Sequence, residues 1–166
     1  DQETDVVFIA TRHDTHAPLA AEALKAGKHV FVEKPLAIDQ AQLDEVIAAA
    51  EASDKVLMVG FNRRFAPLIR QAKEALKSRA APLVMLYRIN AGLVPADSWI
   101  QGEEGAGRII GEVCHFIDTL SFIADSLPVE RHIISAKNYD DAVSLQLRFA
   151  DGSVGTRNIL AITTTV

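Results

Sequence analysis

Cysteine is almost missing from this 166-residue chain. Cys114 stands alone, which excludes an intrachain disulfide framework and an all-cysteine zinc site. No apolar run approaches the roughly 20 residues that a membrane span needs. The opening Asp1-Gln2-Glu3-Thr4-Asp5 has neither a basic segment nor an initiator methionine, so no signal peptide is read and a cytoplasmic location is expected. A start of that kind, running straight into an apolar strand, reads as a piece cut from a longer protein. Basic residues are in deficit too: 17 Lys and Arg stand against 22 Asp and Glu, a balance unsuited to a general nucleic-acid or anionic-membrane surface. What is present suffices for a core. With 49% apolar and 23% charged residues the chain is no disordered segment, and a mass of 18.0 kDa allows on the order of 70% of the extended surface to be buried.

The first third alternates short β-branched runs with helical patterns. Val6-Val7-Phe8-Ile9-Ala10 is continuously apolar and reads as a strand covered on both faces. A helix follows, with Pro18 in its first turn, apolar positions at Leu19, Ala20, Ala23 and Leu24, and Gly27 just past its end. After His29-Val30-Phe31-Val32 comes a break at Pro35. Asp39 with Gln42 is a capping box opening the next helix. Val56-Leu57-Met58-Val59 reads as a third buried strand. Strand, helix, strand, helix, strand predicts βαβ crossovers and a parallel sheet.

Beyond residue 66 the period changes. Pro67 starts an amphipathic helix, Leu83 to Ile89 is a strand, and an irregular stretch leads into a helix from Ile109 to Ala124. Val143, Leu145, Leu147 and Phe149 then alternate with Ser144, Gln146 and Arg148, and Ala150-Asp151-Gly152 turns a hairpin into a strand from Ser153 to Ile162. The expected fold class is α/β plus α+β. Residues 1–66 supply part of a parallel sheet, and 67–166 supply a partial α+β domain with an open, largely antiparallel sheet.

Ligands of an open parallel sheet bind beyond the carboxyl ends of its strands. Three such ends occur: Thr11-Arg12-His13-Asp14-Thr15-His16, then Glu33-Lys34-Pro35, then Gly60-Phe61-Asn62-Arg63-Arg64. Farther on, Glu112, His115 and Asp118 recur every third residue. At 100° per residue they share a helix face opposite an apolar stripe of Ile110, Val113, Ile117, Leu120 and Ala124. A histidine flanked by carboxylates on the face away from the core suits general acid–base work near neutral pH. Gly105-Ala106-Gly107-Arg108-Ile109-Ile110-Gly111 imitates a phosphate-binding loop, but Glu103 and Glu104 before it would repel a phosphate, so it reads as a flexible loop feeding the helix. His29, His132 and Cys114 lack ligand spacing, and no metal site is expected.

Taken together, Thr11 to His16, the string Gly27-Lys28-His29-Val30-Phe31-Val32-Glu33-Lys34-Pro35-Leu36, and Val59-Gly60-Phe61-Asn62-Arg63-Arg64-Phe65 resemble the glucose–fructose oxidoreductase, inositol dehydrogenase and MocA (Gfo/Idh/MocA) family. Gly-Lys-His-Val-x-x-Glu-Lys-Pro is the most specific part. The stretch from Gly107 to Asp118 resembles the family's second-domain helix, so the likeness covers nearly the whole chain. The resemblance implies that 1–66 are the C-terminal part of an NAD(P)-binding Rossmann domain. It implies that 67–166 form a truncated substrate-binding domain whose sheet floors the substrate site and often joins subunits. It places Lys34 beside the nicotinamide, hydrogen-bonded to the reacting oxygen, and makes His115 the hydroxyl's proton acceptor. Thr11, Arg12, His13, His16, Glu33, Lys34, Asn62 and Arg63 would line the cofactor. Family members often carry Asp four residues before the histidine, where this chain has Gly111; Glu112 comes one position later and is the candidate substitute.

One signature is missing. No strand runs into Gly-x-Gly-x-x-Gly with a ribose-binding acid about 20 residues on, so the pyrophosphate and adenosine sites are absent from these residues. The expectation is an NAD(P)-dependent oxidoreductase fragment, binding NAD or NADP weakly or not at all by itself and inactive alone. The complete protein would move a hydride between nicotinamide and a hydroxyl carbon of a sugar, nucleotide sugar or cyclitol, with Lys34 and His115 facing each other over a cleft. The alternatives are a redox-neutral NAD-dependent glycosidase of the same family and a cofactor-bound scaffold without chemistry; a Schiff-base lyase using Lys34 ranks last. Expected partners are a carbohydrate-like small molecule and a second copy held through the C-terminal sheet, with no nucleic acid and no membrane.

Overall fold

The computed structural model describes residues 3–90, 94–95, 97–136 and 139–160. The chain divides into two compact units that are not consecutive halves. Asp1–Phe61 goes with Ala96–Cys114, and Asn62–Pro95 goes with His115–Val166. Where the sequence suggests one cut between 66 and 67, the contacts therefore place a downstream segment with the upstream strands.

The first unit holds β1 (Val6–Ile9), α1 (His13–Lys25), β2 (His29–Val32), α2 (Gln40–Glu51) and β3 (Leu57–Val59). Its sheet is parallel, in the order β1-β2-β3, with Ile9 opposite Val32 and Val32 opposite Val59. The core gathers Ile9, Val30 and Val32 with Ala17, Ala20, Ala21 and Leu24 of α1 and Val46 and Ala49 of α2. Alanines on the helices let them approach the β-branched sheet surface closely, and each buried Val or Leu contributes about 1.5–3 kcal/mol.

Two expectations fail here. β1 and β3 are not covered on both faces: Phe8 is 75% exposed, and Val6, Val56 and Met58 are exposed too. The register sets Phe8 beside Phe31 and Met58, with the two phenylalanine rings 5.5 Å apart, on the side away from the helical core. An apolar run on both faces cannot by itself say which face has a helix upon it. Pro18, moreover, lies inside α1 and not in its first turn, because the helix already begins at His13. Lacking an N–H, Pro18 leaves the Asp14 carbonyl without its helical donor. Gln42 Nε2 fills that place at 3.2 Å.

The same Gln42 completes the capping box. Its N–H donates to Asp39 Oδ1 at 2.8 Å, and its Oε1 accepts from Ile38 N at 3.2 Å. Gly27 takes the left-handed conformation (φ 71°) that closes α1, as its place in the sequence suggests.

The second unit opens with a 3₁₀ turn at Asn62–Phe65, then α3 (Pro67–Ala75, with proline at its start) and β4 (Val84–Asn90). It continues with α4 (Cys114–Ala124, its first residue assigned to the other unit), β5 (Pro128–Ala136), β6 (Tyr139–Phe149) and β7 (Val154–Leu160). The sheet order is β4-β7-β6-β5. β5–β6 and β6–β7 are antiparallel and β4–β7 is parallel, so the sheet is mixed but largely antiparallel. Val143, Leu145, Leu147 and Phe149 are all buried, as their alternation predicts, together with Phe116, Leu120 and Ala124 of α4. A Cβ on Gly155 would lie 3.1 Å from the Phe149 ring and 3.2 Å from Leu120, so the helix rests closely on the sheet there. The hairpin turns where expected, with Gly152 at φ 86°; the expected strand's last two residues, 161 and 162, lie outside the described residues. Among the described residues no helix is long and apolar enough to cross a membrane.

Candidate active site

At the carboxyl ends of β1 and β2 the first unit brings together most of the residues singled out from its sequence. Lys34 lies two residues beyond the end of β2, ahead of a cis peptide to Pro35. Its ammonium donates to the Gly111 carbonyl at 3.1 Å and to Glu112 Oε1 at 3.1 Å. An ammonium carries three donors, so one N–H has no protein partner among the described residues, on a side chain that keeps 19% exposure. The carboxyl group of Glu33 lies 3.1–3.2 Å from the position a Cβ on Gly60 would take.

The residues after β1 surround this point. His16 is fully buried, with Nδ1 2.8 Å from the Pro35 carbonyl and Nε2 3.1 Å from the Thr11 carbonyl. Both partners are acceptors, so whichever nitrogen bears the hydrogen ties the ring to one strand end while the ring packs against the other. Thr11 Oγ1 pairs with Thr15 Oγ1 at 2.6 Å. Arg12 forms an ion pair with Glu104 and lies over the Trp99 ring at 5.1 Å. His13 is buried, its ring edge-on to Trp99 at 4.8 Å and its Nδ1 3.0 Å from the Gly105 carbonyl. Burial outweighs that hydrogen bond and holds the imidazole below its ordinary pKa.

The glycine-rich segment differs from the flexible loop that the sequence suggests. Glu104 O accepts from Asp14 N at 3.1 Å, supplying the α1 terminus with a cap that Arg12 does not give, and Gly105 is buried where a Cβ would collide with the Ile100 backbone. Ala106 and Gly107 then take left-handed conformations (φ 55° and 77°) to enter the following helix.

That helix is the second correction. Ile109–Val113 is a π-helical turn, wider than an α turn by one residue. The 100° spacing that sets Glu112 on a common face with His115 therefore does not hold through 112. Nor are His115 and Asp118 on a solvated face. Both are buried, while Ile110, assigned to the apolar stripe, is exposed. The reason is that α4 is enclosed nearly all round, so polarity alone does not mark its outside.

In the second unit, Asp118 accepts from Arg64 through both oxygens, Nε at 3.0 Å and Nη2 in a shorter contact. This bidentate pairing holds the Arg64 guanidinium above its usual pKa. Arg63 donates from Nη1 to Tyr87 Oη at 3.0 Å and lies over the Phe116 ring at 4.6 Å; buried Arg157 lies over the same ring at 4.1 Å. The His115 ring centre is 6.1 Å from that of Phe116. Asn62 starts the 3₁₀ turn and is exposed. In this unit, then, Arg63 and His115 share the surroundings of Phe116.

Residues 1–61 match a family model described as oxidoreductase family, NAD-binding Rossmann fold. The chain is 31% identical over 170 residues to the myo-inositol 2-dehydrogenase of Thermotoga maritima, covering 93% of this chain and 49% of that protein. The chain belongs to the Gfo/Idh/MocA family. Another family relative, the 1,5-anhydro-D-fructose reductase of Ensifer adhaerens, is 29% identical over 93% of the chain and 50% of its own length. A solved levoglucosan dehydrogenase, in complex with NADH and levoglucosan, superposes with a TM-score of 0.85 at 25% identity, covering 99% of this chain and 50% of that one. The chain thus spans about half the length of the relatives it matches.

Among Gfo/Idh/MocA proteins NAD(P) is the implied cofactor, and the residues present fit one end of it. The Lys34 donor that has no partner among the described residues, beside the ends of β1 and β2, would be the group to meet the ring. A glycine turn for the pyrophosphate does not occur in the chain. Trp99, Tyr87, Phe116 and Arg157 are not singled out by the sequence, where Gly105 reads as part of a flexible loop. The partners of Trp99 and Gly105 are far away in the chain, and only an arginine at an inward position of alternating β7 gave any sign of Arg157.

Proposed function

We propose that this chain contains the nicotinamide- and substrate-facing parts of an NAD(P)-dependent dehydrogenase that acts on a hydroxyl of a sugar, nucleotide sugar or cyclitol. The observation that carries the reading is Lys34: an ammonium fixed by two partners near a strand's carboxyl end, with a third N–H that has no partner among the described residues. That N–H donates to the reacting oxygen and stabilises alkoxide charge as it develops. Glu112 and the Gly111 carbonyl hold the ammonium in place. His115 takes the hydroxyl proton, a role supported by the family likeness and by the neutral pH range in which imidazole titrates. Thr11, Arg12, His13, Glu33, Asn62 and Arg63 line the cofactor, and His16 braces the strand ends beside them. Bound nicotinamide supplies or accepts the hydride.

The test is Lys34→Ala in the complete protein, assayed against sugars and cyclitols by NADH absorbance. Loss of turnover with unchanged folding supports the reading. Cleavage of nitrophenyl glycosides without net NADH would replace it with redox-neutral glycoside chemistry, and absence of turnover in the parent protein would leave a scaffold. NADH titrated into the 166-residue chain should bind weakly or not at all, since the glycine turn is not among these residues. The face of the second sheet bearing exposed Val84, Leu86 and Ile134 is the proposed contact with a second copy. Sedimentation of Leu86→Glu against the parent checks this, and an unchanged oligomer would reject it.

A further inference from the structure

We propose that His13 and Gly111 form a steric interlock that positions Lys34: the imidazole occupies the space of any side chain at 111, and Glu112 thereby becomes the carboxylate that holds the ammonium. A Cβ built on Gly111 lies 2.9 Å from His13 Cε1, closer than a real side chain settles, and 3.4 Å from Nδ1. The ring has little room to yield. Its Nδ1 is bound to the Gly105 carbonyl at 3.0 Å, its edge meets Trp99, and it is buried. The carbonyl can only accept, so Nδ1 carries the hydrogen. Behind it, Gly105 is fixed against Ile100, where no Cβ fits.

Pressure at 111 must therefore pass into the π turn Ile109–Val113. Both partners of Lys34, the Gly111 carbonyl and the Glu112 carboxylate, are carried by that turn. The ring is neutral near pH 7, because burial depresses its protonation, so it acts on Lys34 through volume and not through charge. His13 is in this sense a positioning residue. The activity arm of the test rests on the dehydrogenase reading, whereas the spectroscopic arm does not.

The experiment compares the parent with Gly111→Ala, His13→Ala and the double variant, reading the Lys34 side-chain resonances by NMR and, in the complete protein, kcat and KM. Gly111→Ala should shift the Lys34 resonances and lower kcat about tenfold, and the double variant should return the resonances toward those of the parent. Independent, multiplying effects, or Lys34 resonances indifferent to Gly111→Ala, would overturn the interlock. Should Gly111→Ala fail to fold, folding of the double variant supports the proposal and its failure rejects it. Rescue of the resonances in a protein without dehydrogenase turnover would uphold the interlock while refuting the function proposed above.

Discussion

In the first unit Lys34 gives two of its three donors to Gly111 and Glu112 and, among the described residues, keeps one, on a side chain whose carboxylate partner is itself 39% exposed. In the second unit Arg64 meets Asp118 through two nitrogens, and that carboxylate is only 8% exposed. The cation–carboxylate pair looks alike in both, but its surroundings differ. A closed bidentate pair at a buried carboxylate is structural, since loss of the cation strands a charge. An open pair with a donor to spare adds little stability and can serve a ligand.

The largest expected effect breaks the comparison on its functional side. Lys34→Ala should lower kcat/KM of the complete protein about 10³-fold and move unfolding stability by less than about 1 kcal/mol, measured by steady-state kinetics and urea denaturation. Arg64→Ala should behave oppositely in stability. Stranding Asp118 costs about 2 kcal/mol, the low side for a buried pair because Arg64 remains 38% exposed. Urea unfolding checks this, and Arg64→Lys should recover only part because it cannot form the fork. Gln42→Ala sharpens the contrast within the first unit, whose helices are joined by a side-chain amide. Loss of its bonds to Asp14 O and Ile38 N should cost about 1 kcal/mol in the same assay.

The smallest effect is one of pH. The folded His13 binds its proton less readily than the unfolded one, so the unfolded state carries more protons over the window between the two pKa values. The contribution is fully present above the unfolded value of about 6.5 and is lost as pH falls below it. Replacing His13 with Asn should flatten that part of the stability–pH curve, measured by thermal melts across pH 5 to 8.

Elements with local signatures were legible. Asp39 and Gln42 cap α2 because three residues of spacing suffice for the box, and Val143 to Phe149 bury alternate side chains because a strand's period is two. The candidate site was legible as a set of strand ends, and Lys34 could be singled out from its motif. The helix face around His115 was not legible, since the π turn at Ile109–Val113 alters the rotation per residue and α4 is buried on the side expected to be solvated. Coverage of β1 was equally out of reach, because a strand's apolar residues do not reveal which layer is laid against them.

By itself the amino-acid order determined the element sequence, the parallel character of the first sheet and the largely antiparallel character of the second, the hairpin at Gly152 and the family motif around Lys34. Such features depend on residues within a few positions of one another. Only the tertiary structure decided which charges are engaged and which remain open. Lys34 meets Glu112 across 78 positions and Arg64 meets Asp118 across 54. At such separations periodicity carries no information about contact. Packing selects the partner, by placing one carboxylate in reach of an ammonium and by leaving, at Gly111, no space for another.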